Sequence, residues 1–169
     1  MNSISVQDTF YESEPGILRW KVDRFSGSHG SKLEARSGDV AGCFSNCKRR
    51  WIIKINGKTY NRSRIVWELH NGQIPNGLQV DHINLDKMCD SVWNLRLATA
   101  SQNCCNKNKR SGLTSKYKGV YWDKSKNKWI AGIKINGKRK LLGSFDNEDS
   151  AAEAYRNEAK LLHVEFANF

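Results

Sequence analysis

The sequence contains no long apolar run. A spanning helix needs about 20 consecutive, mostly apolar residues, so no membrane span is expected. The opening stretch, MNSISVQDTFYESEPG, has no apolar core and carries acids early. No secretion signal is expected from it, and a cytoplasmic location follows. Cysteine is sparse and unpatterned. Five is an odd number that fits no secreted disulfide framework and implies reduced thiols. Cys43 and Cys47 are separated by three residues, Cys89 stands alone, and Cys104 adjoins Cys105. None has the C-x2-C spacing of a zinc knuckle, so zinc is not expected and the thiols read as small buried side chains. Acid is short as well: 17 Asp and Glu stand against 28 Lys and Arg, a net charge of +11. That excess points to a polyanion, nucleic acid first, without separating DNA from RNA or an acidic membrane surface.

What is present is aromatic and partly repeated. Apolar residues make up 38% of the chain, enough for small cores, and six Trp and six Phe make those cores aromatic-rich. The hexapeptide IKINGK occurs at 53–58 and again at 133–138. Asn-Gly between alternating apolar and polar residues is a hairpin signal, because both turn residues tolerate positive φ. Both copies read as Trp-led hairpins, WIIKI before the first turn and WIAGIKI before the second. Their flanks do not align, so the repeat is shared turn physics rather than a duplicated domain. A helix is expected over 63–72, capped by Ser63, with Ile65, Val66 and Leu69 on its apolar face and Gly72 at its end. Another is expected from about Asp149, capped by Asp146 or Asn147, with Ala151, Ala152, Tyr155, Ala159 and Leu162 at helical spacing. The stretch NKNKRSGLTS suits an exposed linker. It divides the chain into 1–110, a linker at 111–115, and 116–169.

Chemistry concentrates in VDHINLDKMCDSVWNLRLATASQN, residues 80–103. Gln79–Ile83 reads as a strand, 84–92 as a polar loop and 93–97 as a second strand. Thr99 and Gln102 form a capping box that starts a helix with Asn103 in its first turn. A carboxylate, an imidazole and an Asn on this frame suit metal-assisted hydrolysis. Oxygen donors from Asp81 and Asn103 favour Mg2+ or Mn2+ over zinc, and the His82 imidazole can take a proton from water near neutral pH. His29, His70 and His163 lack partners nearby and read as ordinary surface or packing histidines. This stretch closely resembles the HNH nucleases of the ββα-metal group, in particular the homing-type enzymes of phages and introns. The pattern falls on His82, Asn94 and, with the last His replaced, Asn103, and extends upstream through RIVWELHNGQIPNGLQVDH. The resemblance implies His82 as general base, Asp81 and Asn103 as holders of one divalent ion, and Asn94 as a brace that orients His82. It places the core motif at 80–108 and, for a phage gene, the protein in the host cytoplasm.

Residues 116–140 hold nine basic side chains against Asp123 alone, whereas 141–169 hold two against six acids. KYKGVYWD, KWIAGIKI and KRKLLGSF read as three strands, with the helix on one face and lysines on the other. Tyr-Lys-Gly-Val, Lys-Trp-x-Ala-x-Ile, Leu-Gly-x-Phe and Ala-Ala-x-Ala-Tyr, with the VEFANF tail, resemble the APETALA2-type DNA-binding domain. That resemblance implies contacts to double-stranded DNA from Lys118, Tyr121, Trp122, Lys134, Arg139 and Lys140. Trp129 reads as core. Of residues 1–45, GILRWKVDRF reads as a strand and SGSHGSKLEARSGDVAG as a loop. The expected fold class is α+β: a ββα-metal HNH unit preceded by a β-hairpin and helix, then a small three-stranded antiparallel sheet with one packing helix. The expected function is a homing-type DNA endonuclease that nicks double-stranded DNA as a monomer or homodimer. The alternatives are a non-catalytic, sequence-tolerant DNA-binding regulator that keeps the HNH unit as scaffold, and cleavage of structured RNA.

Overall fold

The Asn-Gly pair at 56–57 closes the first repeated hairpin. Asn56 has φ +48 and Gly57 φ +76, both left-handed, as a tight hairpin turn requires. The computed structural model of the protein describes residues 5–26, 32–106, 112, 114–135 and 138–163. The chain falls into two units, Met1–Ala98 and Thr99–Phe169. The architecture is mixed α/β, with small antiparallel sheets and few helices.

The first unit begins with a short helix α1 (Val6–Thr9) and a hairpin of β1 (Phe10–Glu14) and β2 (Ile17–Trp20). A second hairpin pairs β3 (Arg24–Ser26) with β4 (Lys32–Ala35). The segment expected as a loop thus contains a strand, because Lys32, Leu33 and Ala35 find partners across from Arg24–Ser26. Next come β5 (Cys43–Ser45), β6 (Arg50–Ile55) and β7 (Lys58–Asn61), one three-stranded sheet in that order. On β6, Ile53 and Ile55 are buried and Lys54 is exposed, the period-two alternation of a half-buried strand. Helix α2 (Arg62–Asn71) turns Ile65 and Val66 inward and packs Leu69 against the core. Its N-cap is Asn61 rather than Ser63, which is buried inside the first turn. The core joins Phe10, Leu18, Trp20, Ile53, Ile55, Ile65, Val66 and Leu95. Phe10 and Trp20, 4.8 Å apart between ring centroids, bring the N-terminal hairpin into it. The last sheet of this stretch pairs β8 (Leu78–His82) with β9 (Leu95–Thr99).

The second unit opens with α3 (Ala100–Cys105), started by the expected capping box: Gln102 N donates to Thr99 Oγ1 and Thr99 N to Gln102 Oε1. Strands β10 (Val120–Asp123), β11 (Lys128–Ile135) and β12 (Lys138–Phe145) form one antiparallel sheet. The second IKINGK turn, 136–137, lies outside the described residues, as do His29, most of the linker and the VEFANF tail; Ile135 pairs with Lys138 on either side of that turn. The first strand is shorter than KYKGVYWD suggested. Gly119 bends at φ +73, and Ser115 Oγ and Lys116 N both donate to Glu148. Helix α4 (Glu148–His163) starts where Asn147 Oδ1 accepts from Asp149 N. Ala151, Ala152, Tyr155 and Ala159 bury against Val120, Ala131 and Ile133, while Leu162 points to solvent. The alanines bring the helix close: a Cβ on Gly119 would lie 2.1 Å from the Tyr155 ring.

Burial pushes the Tyr155 hydroxyl from 10.0 up to about 12. An unfolded chain ionises this tyrosine near 10 while the folded one keeps its proton, so unfolding releases a proton between those values and stability falls as pH rises. Melting temperature between pH 10 and pH 12 should therefore drop more steeply for the wild type than for Tyr155→Phe, with no such difference below pH 10.

Candidate active site

At the end of β8 the alternation of buried and exposed side chains stops. Asp81 and His82 are both buried, at 5% and 8% exposure. Adjacent residues on a strand point to opposite faces, so each needs its own polar partner. Asp81 Oδ2 accepts from Arg96 Nε of β9 at 3.0 Å. His82 Nε2 lies 2.8 Å from Asp90 Oδ1. Asp90 Oδ2 accepts from Arg62 Nε of α2 at 2.9 Å, and the Arg62 guanidinium sits 4.4 Å from the centroid of the Trp51 ring. No buried side-chain nitrogen or oxygen among the described residues lacks a hydrogen-bond partner.

The loop between the two strands is tied by its own side chains. Asn84 Oδ1 accepts from Asp86 N, and Asp86 Oδ1 accepts from Met88 N, two successive Asx turns. Asn94 then closes the loop from the far end. Its Oδ1 accepts from Asn84 N at 3.1 Å, its Nδ2 donates to Cys89 O at 2.8 Å, and its backbone O accepts from Ile83 N at 2.8 Å. These bonds hold Val92–Asn94 as a 3-10 turn, so the second strand starts at Leu95 rather than at Trp93. Trp93 is 86% exposed. Asn103 stands in the first turn of α3, in the second unit.

Three residues of this network escaped the sequence reading: Arg62, Asp90 and Arg96. Arg62 and Arg96 sit within amphipathic patterns where arginine reads as surface. Asp90 sits in a loop where aspartate reads as a turn former. A buried His with a basic and an acidic residue within reach was the available signal, but only the fold sets the distances. Two other expectations are corrected. His70 has a partner, the Glu12 carboxylate. The thiols are not buried: Cys43, Cys47 and Cys104 are exposed, and Cys89 and Cys105 are half-buried.

Donor chemistry bears on the metal. Among the described residues no three His, Cys, Asp or Glu side chains converge as a metal cluster. One carboxylate and one amide oxygen, from Asp81 and Asn103, are hard donors. Hard oxygen donors of these types suit a cation such as Mg2+, which keeps several waters in its shell.

The six candidate DNA contacts separate in the second unit. Tyr121 pairs with Ile130 and Lys134 with Arg139, on the sheet face away from α4, and Arg139 lies 4.5 Å over the Tyr121 ring. Trp122 pairs with Trp129, which packs with Ala151 and Ala152 on the helix side. Lys140 pairs with Ile133 and donates to Glu158 of α4 at 2.7 Å, so the acidic helix does not stand clear of the basic strands. Lys118 donates to Cys105 O, and burial holds its ammonium below the usual lysine range.

A family model described as HNH endonuclease matches residues 60–104. The chain is 36% identical over 104 residues to protein 3.8 of Escherichia phage T7, covering 62% of this chain and 85% of that one. It is 38% identical over 128 residues to an uncharacterized HNH endonuclease of Acanthamoeba polyphaga mimivirus, covering 71% of this chain and 66% of that one. It is 38% identical over 53 residues to the uncharacterized gene 5.3 protein of Enterobacteria phage T3, covering 31% of this chain and 52% of that one. No solved structure matches the chain significantly.

Asn94→Ala removes the clasp and leaves Asn84 N and Cys89 O to find water. A hydrogen bond of this kind contributes about 0.5–1.5 kcal/mol net, so losing the two side-chain bonds should cost about 1–3 kcal/mol. Thermal melting should register it as a drop of several degrees, with little change in far-UV circular dichroism.

Proposed function

Because this chain belongs to the HNH endonuclease family, we propose that it is a metal-dependent endonuclease of homing type that nicks double-stranded DNA. The observation that carries the proposal is His82, buried beside Asp81 at the end of β8 and held by a hydrogen bond from its ring, inside the matched stretch. In this reading the nuclease unit is of the ββα-metal type. A water gives a proton to the His82 ring, and its oxygen bonds to phosphorus as the bond to the 3′ oxygen breaks. The 3′ oxygen takes a proton from solvent, leaving 5′-phosphate and 3′-hydroxyl ends, and His82 later returns its proton to solvent. A divalent cation held by Asp81 and Asn103 would supply Lewis-acid stabilisation of the charge on the phosphate. Arg96 holds the Asp81 carboxylate in place. Asn94 keeps the loop closed, and with it the turn that follows His82.

The second unit is the DNA-holding part in this proposal, an APETALA2-like module. It carries 14 basic against 7 acidic side chains. Lys134 stands directly across from Arg139 on the outer sheet face. Like charges opposite one another are destabilising in a sheet. A phosphate backbone is the partner that would relieve this pair. Tyr121, Lys134 and Arg139 are therefore the proposed DNA-facing surface. Lys118, Trp122 and Lys140, which already have protein partners, support it from behind.

Supercoiled plasmid incubated with the protein and Mg2+ or Mn2+ should be converted to nicked circles, and His82→Ala should abolish conversion while retaining DNA binding. Binding without cleavage by the wild type would instead favour the regulator. Replacing Lys134 and Arg139 together by alanine should weaken binding across sequences. It should also lower the slope of log affinity against log salt by about 2, one unit for each phosphate left unneutralised.

A further inference from the structure

The β3–β4 hairpin is a two-stranded sheet, so one edge of β4 (Lys32–Ala35) pairs with no other strand among the described residues. An open edge presents a row of backbone donors and acceptors that can pair with another chain. Two apolar side chains lie beside this edge. Phe25 and Leu33 are 55% and 41% exposed and stand directly across from one another, on one face of the hairpin. Lys32 and Glu34 project from the other face. Both are exposed, and neither has an ion-pair partner among the described residues.

A lone lysine on an edge repels a second strand. Here an acid two residues further on balances it, and that balance decides what fits. When a second β4 lies antiparallel to the first, about a two-fold axis through Leu33, each leucine meets its own copy. Lys32 then meets the partner's Glu34, and Glu34 meets the partner's Lys32, the reciprocity that a two-fold interface demands. An axis through Glu34 would set carboxylate against carboxylate, and one between Leu33 and Glu34 would set leucine against carboxylate. Opposite charges across antiparallel strands attract, and like charges repel. We propose that the outer edge of β4 is a self-association surface: a second copy of this chain pairs with it in the Leu33-centred register, making one continuous sheet with the two β4 strands at its centre. Phe25, Leu33 and their copies form an apolar row along one face of that sheet. Strand addition of this kind takes its affinity from backbone hydrogen bonds and its selectivity from side chains. A strand of four residues buries far less than the ~1,200 Å2 of a stable interface, so the pair is weak and concentration-dependent. The inference stands apart from the nuclease reading, and its test measures association rather than cleavage.

The test is sedimentation velocity of the full chain over rising protein concentration, with circular dichroism to check that each variant folds. The wild type should shift from monomer toward dimer. Glu34→Lys sets lysine against lysine at both reciprocal positions, and Lys32→Glu sets carboxylate against carboxylate. Each variant alone should dimerise about 10-fold more weakly or worse. Net charge alone predicts otherwise, since Lys32→Glu lowers the excess of +11 and would tighten association. Mixed in equal amounts the two variants are complementary, and the mixture should dimerise as the wild type does. A wild type that stays monomeric overturns the proposal, as does a dimer that either variant leaves unweakened or a mixture that stays monomeric. Should either single variant fail to fold, the exchange of both residues, Lys32→Glu with Glu34→Lys, decides: it keeps the complementarity and must dimerise as the wild type does, whereas Leu33→Asp must not.

Discussion

Two oxygens on one aspartate hold the first unit's polar centre together. Asp90 reaches α2 through Arg62 and β8 through His82, and all three are almost fully buried. Burying one charge alone is costly, and removing a single partner of a buried pair costs about 3–5 kcal/mol. The loop that carries Asp90 therefore cannot move independently of the helix or the strand. Its Asx turns and the Asn94 clasp follow from the same constraint, since they fix the loop in the one path that delivers Asp90 to Arg62. The Trp51 ring supplies the remaining wall, covering the face of a guanidinium that has little access to water.

The second unit solves a different problem with different means. Its core is built from alanines and a tyrosine on α4 against Val120, Ala131 and Ile133 of the sheet, with Trp129, Leu142 and Phe145 packed around them. Charge there is kept on the strands and partly answered by the helix and its lead-in, through Lys140 with Glu158 and Lys128 with Asp146. Among the described residues, Lys134 and Arg139 stand across from one another with Tyr121 nearby, and the Arg139 guanidinium lies over the Tyr121 ring.

Local signals read well from the sequence where one interaction dominates. The Asn56-Gly57 turn, the Thr99–Gln102 box and the alanine stripe of α4 each depend on residues within a few positions of one another, and each is present. The N-terminal hairpins were opaque because their value is tertiary: Phe10, Leu18 and Trp20 gain meaning only against Ile53 and Val66. Asp81, His82, Asn94 and Asn103 were singled out through the resemblance to the HNH pattern; the structure buries Asp81 and His82 and makes Asn94 the clasp of the loop. Arg62, 28 residues from Asp90, was not singled out. No local pattern distinguishes an arginine that will be buried from one that will be solvated. The thiols misled for the same reason, since cysteine is often buried but here sits on an edge strand, in loops and on the short helix α3.

The matched family stretch begins at Tyr60, two residues before Arg62. A fragment cut to start at β8 would keep Asp81, His82, Asn94 and Asn103 yet strand the Asp90 carboxylate in a dry pocket without its cation. The smallest piece of this chain that can be transplanted into another protein with its polar centre intact therefore starts upstream of α2. Trimming to the motif letters alone would deliver a graft that carries the recognisable side chains and lacks the counter-ion that keeps them in register.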